Sequence, residues 1–197
     1  MKFPVFPLNG AILFPGTNLP LNIFEKRYIE MVDYALSNNR LIGMIQTNKN
    51  EDFFDIGCLG KITNFTETTD GRYQINLEGL NRFKFNKVIK NDYKFVTIEG
   101  DIVILREDLE TKNNILNQRI LSSFKNYLSA KKINFNTSEF EGMDASSLAK
   151  IICVISPLDY LVKQMLLEFD SENELCKNLL SVLEIEMKNT EKNQRVN

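Results

Sequence analysis

Ser147-Leu148-Ala149-Lys150 has the serine-lysine spacing that, in a suitable site, lets an amine activate a hydroxyl nucleophile. Ser122 to Lys125 and Ser129 to Lys132 repeat that spacing in the same half of the chain, and no S-D-N or K-T-G accompanies any of them. A pattern this cheap reads as solvated helix faces rather than as a catalytic site. The chain has no histidine, which removes Ser-His-Asp and Cys-His nucleophile systems and histidine-ligated metals. Cys58, Cys153 and Cys176 are widely separated and include no C-x-x-C pair. Neither a disulfide framework nor a zinc ribbon is indicated, and three reduced, packed thiols are expected. Gly57-Cys58-Leu59-Gly60-Lys61 lacks the spacing and the hydroxyl residue of a P-loop. No catalytic residue, metal or cofactor is therefore expected.

Binding chemistry is better represented. Glu51-Asp52-Phe53-Phe54-Asp55 places two adjacent aromatics in an acidic stretch. They cannot share one face of a strand, so Phe53 or Phe54 is a candidate partner anchor. Burial of both beneath the loop is the commoner outcome for such residues. A second cluster, Glu25-Lys26-Arg27, follows the apolar run LPLNIF directly. It is either a ligand cluster or the junction between a strand and a helix.

The elements that must hold these residues fall into two halves. Hydrophobic content of 43% and charged content of 25% are those of a globular chain that buries roughly 70% of its unfolded surface. The first 107 residues read as β-rich. VFPL, AILF and LPLNIF are short apolar pieces punctuated by Pro and Gly, suiting edges and corners. LIGMIQ (41–46) and CLGKITNFT (58–66) follow as strands, and Asp70-Gly71 signals a type I′ hairpin turn. Tyr73, Ile75 and Leu77 then alternate with polar residues, and RFKF and KFVTIEGDIVI continue the strands. Together they predict a small, strongly bent sheet or pseudo-barrel. One helix interrupts it, with Tyr28, Met31, Val32, Ala35 and Leu36 on one stripe.

Residues 108–190 read as a helical bundle, followed by a polar tail over 191–197. Leu109, Leu116, Ile120, Phe124 and Leu128 mark a long helix, and Leu148, Ile151, Ile152 and Ile155 a second. Ser156-Pro157 is expected to open a third, carrying Leu161, Val162 and Met165. Ser171 to Glu174 form a capping box for the last, with Leu175, Leu179, Val182 and Leu183 on one face. The proline-broken N-terminus is neither a signal peptide nor a membrane span, and a cytoplasmic location is expected. A formal net charge of −2 gives no basic footprint and disfavours nucleic acid.

Three segments resemble one family. FPVFPLNGAILFPG, then Pro20, Leu21, Ile23, Phe24, Glu25, Arg27, Tyr28 and Met31, look like the opening of the N-terminal domain of Lon, the ATP-dependent protease La. DGRYQINLEGLNRFKF, carrying Asp70, Gly71, Arg82 and Phe83, and ISPLDYLVKQMLLEF match later blocks of that domain. The resemblance implies an α+β fold, a PUA-like β pseudo-barrel followed by a C-terminal helical bundle. It also implies a non-catalytic module that recognises unfolded or partner polypeptides, with no ATPase or protease module among these residues. On this view the chain is a free-standing version, an adaptor or partner of a protease in protein quality control. An RNA-binding module of PUA-like fold is the alternative, and the oligomeric state stays open. The family positions Pro20, Phe24, Glu25, Arg27, Tyr28, Asp70, Gly71, Arg82 and Phe83 read as architectural. Glu25 is expected to favour the first turn of the helix through its dipole.

Overall fold

The computed structural model describes residues 1–106 and 114–196, with side chains over 1–106 and 115–190. Leu109 and the 107/108 boundary fall outside the described residues, as do the side chains of 191–197. The fold is mixed α+β. Two compact units are present, Met1–Ile104 with Pro157–Glu168 and Leu105–Ser156 with Phe169–Asn197.

The first unit is built on six strands: β1 (Lys2–Pro7), β2 (Asn18–Ile23), β3 (Leu41–Ile45), β4 (Ile56–Glu67), β5 (Tyr73–Ile89) and β6 (Val96–Val103). Their order is β2-β5-β4-β3-β1-β6, and β5 pairs with β6 as well. Pairing therefore runs in a closed circuit through β5, β4, β3, β1 and β6, leaving β2 attached to β5 alone. The long β5 makes this possible because bulges interrupt it. Against β4 the register skips Leu80, between Asn81 paired with Leu59 and Gly79 paired with Gly60, and against β6 it skips Asn86, between Phe85 and Lys87. A bulge adds a residue and turns the strand, so β5 pairs β2 through Tyr73–Glu78 and β6 through Arg82–Ile89. Inside the circuit Phe3, Val5, Ile45, Leu59, Phe83 and Ile98 form one cluster. The Phe3 and Phe83 rings meet edge to face at 4.9 Å.

Helix α1 (Lys26–Leu36) crosses between β2 and β3 and buries Tyr28, Met31, Val32 and Ala35 of the expected stripe, with Leu36 half-buried. AILF, expected as a strand piece, is instead buried irregular chain. Its backbone is satisfied by a turn: the Thr17 hydroxyl donates to the Phe14 carbonyl at 2.8 Å and accepts from the Phe14 amide. Gly16 N–H bonds Gly79 O, and Gly79 N–H bonds Thr17 O, both at 2.8 Å. A Cβ on Gly79 would lie 2.0 Å from the Phe14 carbonyl oxygen, so only glycine lets this turn sit on β5.

The hairpin at Asp70-Gly71 is present, but not as a type I′ turn. Asp70 is not among the non-glycine residues with positive φ, whereas Gly71 has φ +78. Gly71 N–H reaches Thr68 O and Thr68 N–H reaches Arg72 O. That is a three-residue loop with glycine in the left-handed position.

Helix α4 (Tyr160–Glu168) also belongs to the first unit. Asp159 caps it, accepting from Leu161 N–H at 2.8 Å. Ser156 does not; it ends the preceding helix, Ala145–Ile155, in extended conformation (ψ 147), as the residue before proline must. The expected apolar face is also reversed. Leu161 and Met165 are exposed, whereas Lys163, Gln164, Leu166 and Leu167 are buried.

The second unit contains α2 (Asn114–Ala130), a one-turn 3-10 helix (Ser138–Phe140), α3 (Ala145–Ile155) and α5 (Glu172–Val196). Ile120, Phe124, Leu128, Leu148, Ile152, Leu175, Leu179 and Leu183 are buried as their spacing predicts. The Ser171 hydroxyl accepts from Glu174 N–H at 3.2 Å, the forward half of the expected capping box. No helix of the described residues is long and apolar enough to cross a membrane.

Candidate binding groove at the junction of β2 and α1

Period-two alternation decides what β2 offers. Leu19 and Ile23 are buried and Leu21 half-buried, while Asn18, Pro20 and Asn22 face out. Phe24 shares the outward parity and is 67% exposed, a large apolar side chain left in water. It forms one wall of a groove of about 270 Å³ lined by Phe6, Leu8, Leu21 and Tyr28. Tyr28 is buried beneath, its ring 4.2 Å from that of Phe6.

Glu25 and Arg27 stand on the groove's rim. Glu25 is the N-cap of α1, but its carboxylate makes no cap bond and no acidic residue occupies the first turn. The side chain stands at the amide end of the helix, as expected, without bonding its free N–H groups. Instead Arg27 Nε donates to Glu25 Oε2 at 3.0 Å, and Arg27 Nη2 lies 3.0 Å from the same oxygen. The guanidinium also lies 4.5 Å from the centre of the Tyr28 ring. Both partners are about half exposed, so the pair contributes little to stability, ~0–1 kcal/mol. Burial pushes the Tyr28 hydroxyl above its ordinary value, opposed by Arg27 and reinforced by Glu25. The groove is apolar with a charge-balanced rim, suited to gripping an apolar side chain rather than to moving protons.

The remaining residues singled out in the sequence lie elsewhere. Phe53 and Phe54 are both half-buried. Phe53 meets Phe85 edge to face at 5.4 Å and packs on the core cluster, so the outward aromatic of this unit's groove is Phe24. Pro20 is exposed on β2 opposite Asn76. Asp70 is at the exposed hairpin tip, where bonds from Arg72 and then Thr68 hold its carboxyl well down, to about 2. Phe83 is in the core, and Arg82 is 1% exposed, its Nη1 donating to Leu167 O at 3.0 Å near the end of α4. Cys58 is buried close by, and burial raises its thiol despite the Arg82 charge.

Spacing alone did not reveal the polar lock beneath α4. Gln46 Nε2 donates to Gln164 Oε1 at 3.0 Å and to Tyr160 O at 3.2 Å. Gln164 Nε2 donates to Ile56 O at 3.0 Å and to Glu168 Oε1 at 2.7 Å. Both glutamines are 2% exposed. A glutamine ending an otherwise apolar strand, LIGMIQ, was the available signal.

The serine-lysine spacing does not form a nucleophile. Lys150 Nζ is committed to Glu172 Oε1 at 2.8 Å, an oxygen that also accepts from the Ser146 hydroxyl. Ser147 N–H is bound by Asp144, the N-cap of α3. Burial pushes the Asp144 carboxyl up, but the bonds from Ser147 outweigh it and bring it below its ordinary value. Among the described residues no group of three or more Cys, Asp or Glu could hold a metal ion.

The strand-built unit thus carries an apolar groove with an exposed aromatic at its mouth. Residues 2–184 match the ATP-dependent protease La (LON) substrate-binding domain, and the chain belongs to that family. The Lon protease of Buchnera aphidicola subsp. Baizongia pistaciae is 27% identical over 197 residues, covering 95% of this chain and 25% of that protein. The Lon protease of Escherichia coli (strain K12) is 24% identical over the same shares. The chain thus spans about a quarter of the length of these relatives. Among solved structures, the Lon N-terminal domain protein from Xanthomonas campestris aligns with a TM-score of 0.67 at 20% identity, over 92% of this chain and 98% of that one. The N terminal domain of Mycobacterium avium complex Lon protease aligns with a TM-score of 0.73 at 17% identity, over 93% and 98%. The matched region of these relatives is their substrate-binding domain.

Proposed function

We propose that this chain recognises unfolded or partner polypeptides through the β2–α1 groove, within a PUA-like pseudo-barrel followed by a helical bundle. The observation that carries the reading is Phe24, left 67% exposed at the mouth of an apolar groove. An aromatic beside a half-buried apolar floor is the arrangement of a binding anchor, where a few side chains supply most of the affinity. The rim pair Glu25–Arg27 adds no net charge, so the groove selects apolar side chains and is indifferent to the charge around them. The substrate-binding family of the chain agrees with polypeptide as the ligand. In this role the domain positions substrate for a Lon-type protease, as part of one or as an adaptor beside one.

Fluorescence anisotropy with a labelled, permanently unfolded protein tests the reading at micromolar chain concentration. Phe24→Ala is expected to weaken binding at least ~10-fold, with an unchanged melting temperature because the side chain packs on little. Equal affinity for wild type and Phe24→Ala would move the binding surface elsewhere. A labelled single-stranded RNA in the same assay is expected to show no binding that survives moderate salt.

A further inference from the structure

We propose that Asn9 is a site of spontaneous deamidation, and that Gln46 and Thr47 hold the reaction off while the first unit is closed. Asn9-Gly10 is the sole Asn-Gly pair of the chain. In such a pair the amide nitrogen of the second residue attacks the side-chain carbonyl carbon of the first, because glycine puts no Cβ in the way. The bond from Gly10 N to Asn9 Cγ forms and the Cγ–Nδ2 bond breaks. The side-chain nitrogen leaves as ammonia, taking the proton that Gly10 N gives up. Water then opens the cyclic imide at either carbonyl, yielding aspartate or isoaspartate.

The structure engages every group that this step needs. Asn9 and Gly10 form an exposed bend between β1 and the buried AILF segment. Asn9 Oδ1 accepts from Thr47 N–H at 2.8 Å, and Asn9 Nδ2 donates to the Thr47 hydroxyl at 3.1 Å. A side chain held at both atoms cannot also fold its carbon back onto the next amide. The nucleophile is held as well, because Gly10 N–H donates to Gln46 Oε1 at 3.1 Å. That acceptor keeps the proton on the nitrogen and fixes its direction. Gln46 is in turn fixed by Gln164 and Tyr160 O, so the guard of a surface residue is anchored in the buried lock beneath α4. Local opening that draws Gln46 and Thr47 from the bend frees both reacting groups together. The chain thereby keeps an irreversible record of its openings. Aspartate at this position no longer donates to the Thr47 hydroxyl, and isoaspartate lengthens the main chain directly after Leu8.

Incubation of the whole chain in mildly alkaline buffer, followed by peptide mapping with mass spectrometry, measures the conversion. In denaturant Asn9 is expected to convert faster than any other asparagine. In the folded chain it should convert at least ~10-fold more slowly than in denaturant. Gln46→Leu removes the acceptor of Gly10 and should raise the folded-state rate at least ~5-fold. Thr47→Val removes the hydroxyl partner of Asn9 and should also raise it. Gln164→Leu weakens the same lock but leaves Gln46 Oε1 and Thr47 in place, so it should accelerate conversion less than Gln46→Leu does. Equal acceleration by Gln46→Leu and Gln164→Leu would trace the effect to general loss of stability and overturn the guard. Equal rates in folded and unfolded wild type, variants no faster than wild type, or an Asn9 no more reactive than other asparagines in denaturant would each overturn the proposal too.

Discussion

The two longest family segments of this chain do opposite things. In 70–85, Leu77, Arg82 and Phe83 are buried, and Gly79 lies against the Phe14–Thr17 turn. In 20–28, Ile23 and Tyr28 are buried, but Pro20, Phe24, Glu25 and Arg27 face solvent. A shared motif therefore does not imply a shared cause. The first segment is constrained by packing and by backbone groups that must be satisfied. The second is constrained on one face only, leaving its other face available for contact.

The largest effect expected from this contrast is at Gly79. Gly79→Ala places a methyl 2.0 Å from the Phe14 carbonyl oxygen, against backbone that cannot rotate away. The turn must leave β5 and lose its paired amide bonds, at a cost of at least about 3 kcal/mol. Chemical denaturation of the variant measures it; a loss below about 1 kcal/mol would mean that the turn yields easily.

The glutamine lock comes next. Gln164→Leu keeps the volume but removes the acceptor of Gln46 and the donor to Ile56 O, both in buried surroundings. Leaving such groups unsatisfied costs about 1–3 kcal/mol. Gln46→Leu combined with Gln164→Leu should recover part of that loss, since neither side chain is then left without its partner. A double variant less stable than the sum of the singles would contradict a mutual bond.

Much of the first unit was legible because its periodicities are local. The alternation of 73–77 and the α1 stripe both appear as their spacing predicts, and the outward parity of Phe24 follows from LPLNIF. Three features needed information that spacing does not contain. The direction of α4 depends on Gln46, 118 residues from Gln164, which draws a polar face inward and leaves Leu161 and Met165 outside. The irregular path of AILF depends on Gly79, where turn and strand approach without side-chain room. The helix start near Pro157 falls instead at Asp159, whose carboxylate accepts from Leu161 N–H, while Ser156 closes α3 with its amide on Ile152 O. The groove was half legible: its residues were singled out as family positions, but the exposure that makes Phe24 an anchor depends on what packs beside it.

Glu25→Ala and Arg27→Ala sharpen the outward side of the comparison. With both side chains about half exposed and no helix cap involved, each is expected to change stability by less than about 1 kcal/mol. Thermal melts in low and in moderate salt check this, and the small difference should shrink as salt screens the pair. A loss comparable to Gln164→Leu would make the rim structural and weaken the case for a contact surface.

The smallest effect belongs to Asp70, at the exposed tip that opens the 70–85 segment. Arg72 and Thr68 hold its carboxyl at about 2 in the folded chain, below its value in the unfolded chain. The folded state thus binds this proton less readily, and its advantage is present in full above the ordinary carboxyl range. It disappears as pH falls from roughly 4 through about 2. Asp70→Asn removes the titration while keeping Gly71 and the loop, so the acid-side slope of melting temperature should be slightly shallower than in wild type. Both side chains of the pair are about half exposed, and solvent screening keeps the difference small. Superimposable slopes for the two proteins between pH 5 and 2 would show that the Arg72 pair does not persist in solution, and that this end of the segment serves the turn through Gly71 alone.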